Sequence, residues 1–329
     1  MKLATRVAVQ RQLHNLWVVD LAPRMESILQ EVCEGLSCDQ KRLPPKLFYD
    51  RRGAQLFTAI CGTQAYYPTR TENAILDRRA AEIAREIGTG SAIIEFGAGE
   101  IEKVRRLLPS LRPAVYAALD LSREQLVRSS GKLALDYPWL AVIAVIGDYG
   151  SELESELNLP AEARRVVFFP GSTIGNFEPD QAQAFLQRAR ALVGGTGGVL
   201  IGVDLQKPVE ILDLAYNDPE GYTAAFNLNL LARLNRELGA DFDLSGFAHE
   251  AFYNVARGRV EMHLRSLRPQ RVSIASWVFD FARGETIHTE NSYKYTPDSV
   301  TRMARAAGFH ATRLWMDPAG WFGVFFLHN

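Results

Sequence analysis

Cysteine is scarce in this chain: its three copies, Cys33, Cys38 and Cys61, are odd in number and show no CxxC spacing. That excludes a disulfide framework and gives no support for a zinc site, and it fits a reducing cytoplasm. An excess of either charge is missing too. The 37 Lys and Arg residues against 38 Asp and Glu leave a formal net charge of −1, so no basic surface asks for nucleic acid, and local clusters such as Arg265 to Arg271 read as solvated faces. Long apolar runs are also lacking. None reaches the roughly 18 residues of a membrane span, and the start MKLATRVAVQRQLHNLWVVD has no adequate apolar stretch for a secretion signal. What remains is an ordinary globular composition, 47% apolar and 23% charged over 329 residues, long enough for two domains or one with an insertion. The expectation is a cytoplasmic monomer without a metal, nucleic-acid or membrane partner.

One further absence is more specific. Ala92 to Phe96 is an apolar run that ends in Gly97-Ala98-Gly99-Glu100. It predicts a buried strand entering a tight turn where backbone can lie against a ligand. A second run, Ala114 to Leu119, ends in Asp120. A glycine turn after one strand and a carboxylate after the next grip a nucleoside, since the acid can accept from both ribose hydroxyls. The dinucleotide fingerprint needs a third glycine three residues after the second, and that position is Glu102. Glu100 and Glu102 beside the turn would repel a pyrophosphate. The ligand suggested carries a ribose, no phosphates and a neutral or cationic tail, and S-adenosylmethionine fits that description.

From Ala92 onward strands and helices alternate. The strands are Ala92 to Phe96, Val115 to Leu119, Val142 to Ile146, Arg165 to Phe169 and Gly198 to Asp204; helices are expected from Glu100 to Leu108, after Ser122 and from Pro179 to Leu192. That rhythm predicts a mainly parallel sheet covered on both faces. Thr296-Pro297-Asp298 caps a helix through Ala307, and Thr312 to Met316 and Trp321 to Leu327 flank Asp317-Pro318-Ala319-Gly320, a hairpin. A doubly wound α/β sheet ending in an antiparallel hairpin is the architecture of class I methyltransferases, with their Rossmann-like fold, and it moves S-adenosylmethionine ahead of NAD. Between Gln206 and Tyr295 the rhythm breaks into a long helix, Tyr222 to Leu238, and alternating runs such as Arg259 to Arg265 and Trp277 to Phe281. This insertion, with a helical N-terminal region up to about Tyr67, is expected to form a second, smaller α+β domain. The division is 71–205 with 295–329 for the cofactor domain and 1–70 with 206–294 for the substrate domain, with a cleft between them.

Five segments offer chemistry. Asp148-Tyr149 follows the third strand, where a carboxylate and a ring can meet an adenine. Gly171-Ser172-Thr173-Ile174-Gly175-Asn176 follows the fourth, where backbone can approach a substrate and the amide can donate to an anion. Turn chemistry alone also selects these residue types. Leu43 to Asp50 and Ala65 to Arg70 place tyrosines beside turns, giving rings with hydroxyl handles. Ile287 to Tyr295 alternates, so that as a strand it would put Glu290 and Ser292 on one face with Lys294; a solvated edge strand would look the same.

Taken together, LPPKLFYD, YYPTRTE, EFGAGEIEK, FPGSTIGNF, TAAFN, Leu234 to Leu238, EMHLRS and ENSYKY resemble the L-histidine Nα-methyltransferases of ergothioneine biosynthesis, in order and across Leu43 to Leu327. The resemblance implies transfer of three methyl groups from S-adenosylmethionine to the histidine α-amine, giving hercynine. It implies cofactor contacts at Gly97, Lys103, Asp120, Asp148 and Tyr149. It implies histidine contacts at Tyr66, Gly171, Asn176, Tyr216, Glu290 and Ser292, with Tyr49 near the amine and Met262 on the pocket wall. In that assignment Asn176 and Tyr216 donate to the carboxylate, and Glu290 accepts from the imidazole N–H. The alternatives are an N-methyltransferase of the same fold for another amino acid or an indole derivative such as tryptophan, and a non-catalytic cofactor-binding regulator.

Overall fold

In the computed structural model, which describes residues 8–21, 25–147, 157 and 159–329, fourteen strands lie among the described residues. They are β1 Ala8–Leu13, β2 Leu16–Asp20, β3 Ala92–Phe96, β4 Val115–Asp120, β5 Ala141–Ile146, β6 Arg165–Phe169, β7 Gly198–Asp204, β8 Phe247–Asn254, β9 Arg259–Ser266, β10 Gln270–Ile274, β11 Trp277–Phe281, β12 Thr286–Tyr293, β13 Ala311–Met316 and β14 Phe322–His328. Nine of them form one sheet in the order β1-β2-β5-β4-β3-β6-β7-β14-β13. From β2 to β7 every neighbour is parallel, and β14 then runs antiparallel to both β7 and β13. This is the doubly wound sheet with a closing hairpin that defines the class I methyltransferase architecture.

The reversal of strand order beside β3 places the carboxyl ends of β3, β4, β6 and β7 around one crevice, where ligands of open α/β sheets lie. Successive side chains of a strand alternate faces. Ile93, Tyr116 and Ala118 accordingly enter one core with Ile75, Leu76 and Ile83 of the helix Tyr67–Ile87, while Ile94, Ala117 and Leu119 enter another with Phe185 and Leu186 of the helix Pro179–Val193. Burial on both faces explains why these strands read as unbroken apolar runs.

Two expectations about local structure are corrected. The segment expected as helix from Glu100 to Leu108 is two short pieces, Glu102–Arg105 and Leu108–Leu111. Ile101 sits in the left-handed region at φ 62°, which no regular helix accepts. The N-terminal region, expected to be helical and to pack with the insertion, instead opens with the β1–β2 hairpin, which joins the main sheet through parallel pairing of β2 with β5. Its turn is tied down by buried Asn15, whose Nδ2 donates to Ala134 O at 3.1 Å and Leu140 O at 2.9 Å.

A third core gathers the helices Met25–Leu36, Arg51–Gly62, Val209–Tyr216 and Tyr222–Leu238 against β8, β9 and β12, an antiparallel sheet in the order β12-β9-β8. The chain leaves for this excursion at Leu205 and returns at Tyr295, and those two residues form a parallel bridge. Tyr67 belongs to this third core although the rest of its helix lies on the main sheet.

Candidate functional site

A cavity of about 800 Å³ lies where the carboxyl ends of the parallel strands face the third core. It is lined by Tyr49, Tyr66, Gly97, Lys103, Asp120, Gly171, Asn176, Tyr216, Met262, Glu290 and Ser292. The residues singled out from sequence thus come together from positions spread over nearly the whole chain. Asp148 and Tyr149 lie outside the described residues.

On the sheet side, Gly97 and Gly99 take φ of 70° and 53°, a backbone region that side chains with a Cβ avoid. Nothing stands within 4 Å of where a Cβ at Gly99 would be, so the turn is open toward the cavity. Asp120 braces that turn, accepting from Gly99 N at 2.9 Å and Ser122 N at 2.8 Å. Burial pushes its carboxyl up against these backbone donors. Glu95, the penultimate residue of β3, accepts from Tyr116 Oη at 2.6 Å, and burial drives its carboxyl up to about 8 despite that bond.

Glu72, the last residue of the YYPTRTE motif, has a role that the motif alone does not reveal. Its side chain is 1% exposed, its Oε2 pairs with Lys103 Nζ at 2.6 Å, and both of its oxygens accept from Gly171 N at 3.0 Å. The signal was its place on the buried stripe shared with Ile75 and Leu76, where an acid needs a partner. Gly171, at φ 81°, is close enough that an added Cβ would lie 3.1 Å from Lys103 Nζ. Ser172 beside it is another non-glycine residue at positive φ, 60°, held by its Oγ accepting from Asp204 N at 2.9 Å.

The opposite wall is aromatic. Tyr49 meets Phe57 and Phe226 edge-on at 5.8 and 5.9 Å, and Tyr66 meets Phe57 and Tyr216 at 6.3 and 6.2 Å. Burial pushes the Tyr66 and Tyr216 hydroxyls above the usual phenol range. Asp50, next in the chain after Tyr49, caps the helix Arg51–Gly62 through Gly53 N at 2.6 Å and takes Asn229 Nδ2 at 2.9 Å.

β12 supplies the polar end. Glu290 is opposite Met262 of β9, just past a bulge at His288 to Glu290 that turns it toward the cavity. Burial raises its carboxyl to about 7, with Lys294 pulling the other way. Ser292 Oγ lies 2.7 Å from Tyr216 Oη and 2.7 Å from Lys294 Nζ. Behind them Asp204, at the end of β7, accepts from Lys294, Lys207 and Tyr67. The sequence pattern did carry a signal for Asp204, since it closes an apolar strand as Asp120 does.

One group among the described residues has the spacing to hold a metal ion, Glu261 with His263 and His288. Its carboxylate is already bound by Arg259 Nε at 2.8 Å and Asn254 Nδ2 at 3.1 Å, and His288 Nε2 pairs with Asn291 Oδ1 at 2.8 Å. A guanidinium on the carboxylate repels a cation, so the cluster reads as a hydrogen-bonded network.

The donor set suits S-adenosylmethionine. Asp120 over an open glycine turn fits a ribose diol, and Lys103 paired with Glu72 offers both signs of charge to an amino-acid tail. The family described as histidine-specific, S-adenosylmethionine-dependent methyltransferases matches residues 28–329. The chain is 40% identical over 305 residues to a histidine N-alpha-methyltransferase of Mycolicibacterium smegmatis, covering 91% of this chain and 94% of that one. It is 39% identical to the protein of the same name from Mycobacterium tuberculosis, again over 91% and 94%. It is 29% identical to the N-methyltransferase imqF of Aspergillus flavus, over 93% and 86%.

Proposed function

The chain belongs to the histidine-specific, S-adenosylmethionine-dependent methyltransferase family, and we propose that it transfers three methyl groups to the α-amine of L-histidine, giving hercynine for ergothioneine biosynthesis. The observation that carries this reading is Glu290, a carboxylate facing the cavity whose side chain makes no hydrogen bond among the described residues. An acceptor left open in a desolvated pocket asks for a ligand donor, and an imidazole N–H is one. Ser292 and Tyr66 stand beside it to complete the ring's contacts, Asn176 and Tyr216 are the donors for the carboxylate, and Met262 bounds the ring side.

Bound S-adenosylmethionine supplies an electrophilic methyl group on a sulfonium. The protein's own residues then have to align and desolvate. Gly97, Lys103 and Asp120 hold the cofactor from the sheet side, Gly171 and Asn176 hold the substrate backbone, and the aromatic wall excludes water. The attacking amine must be neutral, and Tyr49, on the amine side, is the hydroxyl that can pass its proton toward solvent. The faces of Tyr49 and Tyr66 suit the quaternary ammonium of the product.

This reading takes residues 206–294, with the helices that precede Tyr67, as the substrate-binding unit, and the protein as a cytoplasmic monomer. No helix among the described residues is long and apolar enough to cross a membrane. Incubation with S-adenosylmethionine and each common amino acid, followed by mass measurement, tests the substrate. Trimethylated histidine is expected, and methylation of a different amine alone would overturn the reading. Light scattering after size exclusion checks the monomer.

A further inference from the structure

We propose that Lys294 is a positioning residue that makes the pocket select an amine bearing a free α-carboxylate, acting through the hydroxyl of Tyr216. The inference rests on the amino-acid substrate read above. Its starting point is a charge imbalance in a buried cluster. Asp204 accepts from Lys207 Nζ at 2.6 Å and Lys294 Nζ at 2.8 Å, and all three side chains are 1% exposed. Within the hydrogen-bonded cluster one carboxylate faces two ammonium groups, a surplus of positive charge in a place where unpaired charge is costly. Burial lowers the Lys207 ammonium to about 8 and the more distant Asp317 acts on it too, so the surplus at neutral pH is reduced but falls mainly on Lys294. Burial pushes the Asp204 carboxyl up, yet the two ammonium groups outweigh it and hold the carboxyl below its usual range. Both cations therefore face an ionised Asp204.

The two lysines divide the cluster unequally. Lys207 turns away from the cavity, donating to Leu205 O and sitting over the Tyr67 ring at 4.6 Å. Lys294 lines the cavity. The surplus charge is thus presented to a ligand by Lys294. Yet an ammonium has three hydrogens, and those of Lys294 are engaged by Asp204, by Ser292 Oγ at 2.7 Å and by Tyr216 Oη at 3.2 Å. It cannot grip a carboxylate itself. Tyr216 Oη donates to Ser292 Oγ at 2.7 Å, which uses one of the pair's two protons. When a ligand carboxylate takes the Tyr216 proton, the Ser292 hydroxyl turns to donate to Tyr216 instead, so the pair keeps one proton for a ligand acceptor. An ammonium behind Tyr216 makes that proton a stronger donor.

The remaining titratable groups within electrostatic reach of Lys294 are Glu290, Tyr253 and Tyr295. Tyr253 and Tyr295 are neutral donors. Glu290 makes no hydrogen bond to Lys294, and with its carboxyl raised to about 7 it offsets the surplus only in part at neutral pH.

Lys294→Met leaves Asp204 balanced by Lys207 alone, and so orphans no charge. Wild type and variant are compared on histidine and on histidine amide, which keeps the ring and the α-amine but replaces the carboxylate with a neutral group. In the wild type kcat/KM should favour histidine by roughly tenfold or more, the size of a charge-assisted hydrogen bond. In Lys294→Met that preference should collapse, through a fall on histidine with little change on the amide. Equal falls on both substrates would overturn the proposal, since a merely structural lysine cannot tell acid from amide. Should Lys294→Met fail to fold, Tyr216→Phe keeps the lysine and removes the relay, and an intact preference there overturns it equally. If the wild type methylates another amino acid and not histidine, the histidine reading fails, and the same comparison on that amino acid and its amide still decides the role of Lys294.

Discussion

Glu72 holds Lys103 and Gly171 at once: its carboxylate lies 2.6 Å from the Lys103 ammonium and accepts from the Gly171 N–H at 3.0 Å. In the function proposed above the lysine faces the cofactor and the glycine, in the loop after β6, faces the substrate, so one buried acid would set the spacing between the two halves of the reaction. Glu72→Ala should leave a buried N–H unpaired and the lysine unrestrained, lowering stability by about 1–3 kcal/mol. Cofactor affinity and kcat should both fall, as read by denaturation, calorimetry and steady-state kinetics. Loss of stability with unchanged affinity would show that Glu72 is structural only.

Glu290→Ala should separate substrate from cofactor. The KM for histidine is expected to rise by roughly tenfold or more, the scale of a lost charged acceptor, while S-adenosylmethionine binding measured without histidine stays within about threefold. Equal losses in both would remove Glu290 from its role at the ring.

Asp120→Ala should behave in the opposite way. Its carboxylate braces Gly99 N and Ser122 N, so the variant loses the shape of the glycine turn and, with it, the proposed ribose acceptor. Cofactor affinity should fall first and furthest, again by about tenfold or more. An unchanged cofactor Kd would contradict the placement of the nucleoside.

Burial raises the Glu290 carboxyl from 4.5 to about 7. The folded protein thus keeps this proton to higher pH than the unfolded chain, and its contribution to stability is full below about 4.5 and lost as pH rises through about 7. Glu290→Gln should therefore gain stability over the wild type above pH 7 and lose that advantage at low pH, a difference read from melting temperatures across a pH series. In the wild type, histidine binding that needs the ionised acid should weaken as pH falls below about 7.

Much of this site was legible in the chain because strand ends advertise themselves. Apolar runs closed by Gly97, Asp120 and Gly171 give both the sheet and its ligand edge, and their burial on two faces removes any ambiguity of period. The β1–β2 hairpin was missed because its turn is an ordinary His14-Asn15 pair, and what fixes it is the remote contact of Asn15 with Ala134 and Leu140. The break at Ile101 was missed for a related reason, since a left-handed isoleucine is dictated by the packing around it and has no local signature. Glu72 and Asp204 each carry a partial signal, as an acid on a buried helix stripe and an acid closing an apolar strand, but which cations they meet follows only from the fold. Spacing can show that Glu290, Ser292 and Lys294 share a face, but not that Lys294 meets Asp204 from another strand.

The central claim is the identity of the methylated amine, and the mass of the product formed from purified protein, S-adenosylmethionine and L-histidine tests it most directly. The account predicts histidine carrying three added methyl groups on its α-nitrogen. Unmodified histidine, alongside methylation of a different amino acid by the same preparation, would contradict it.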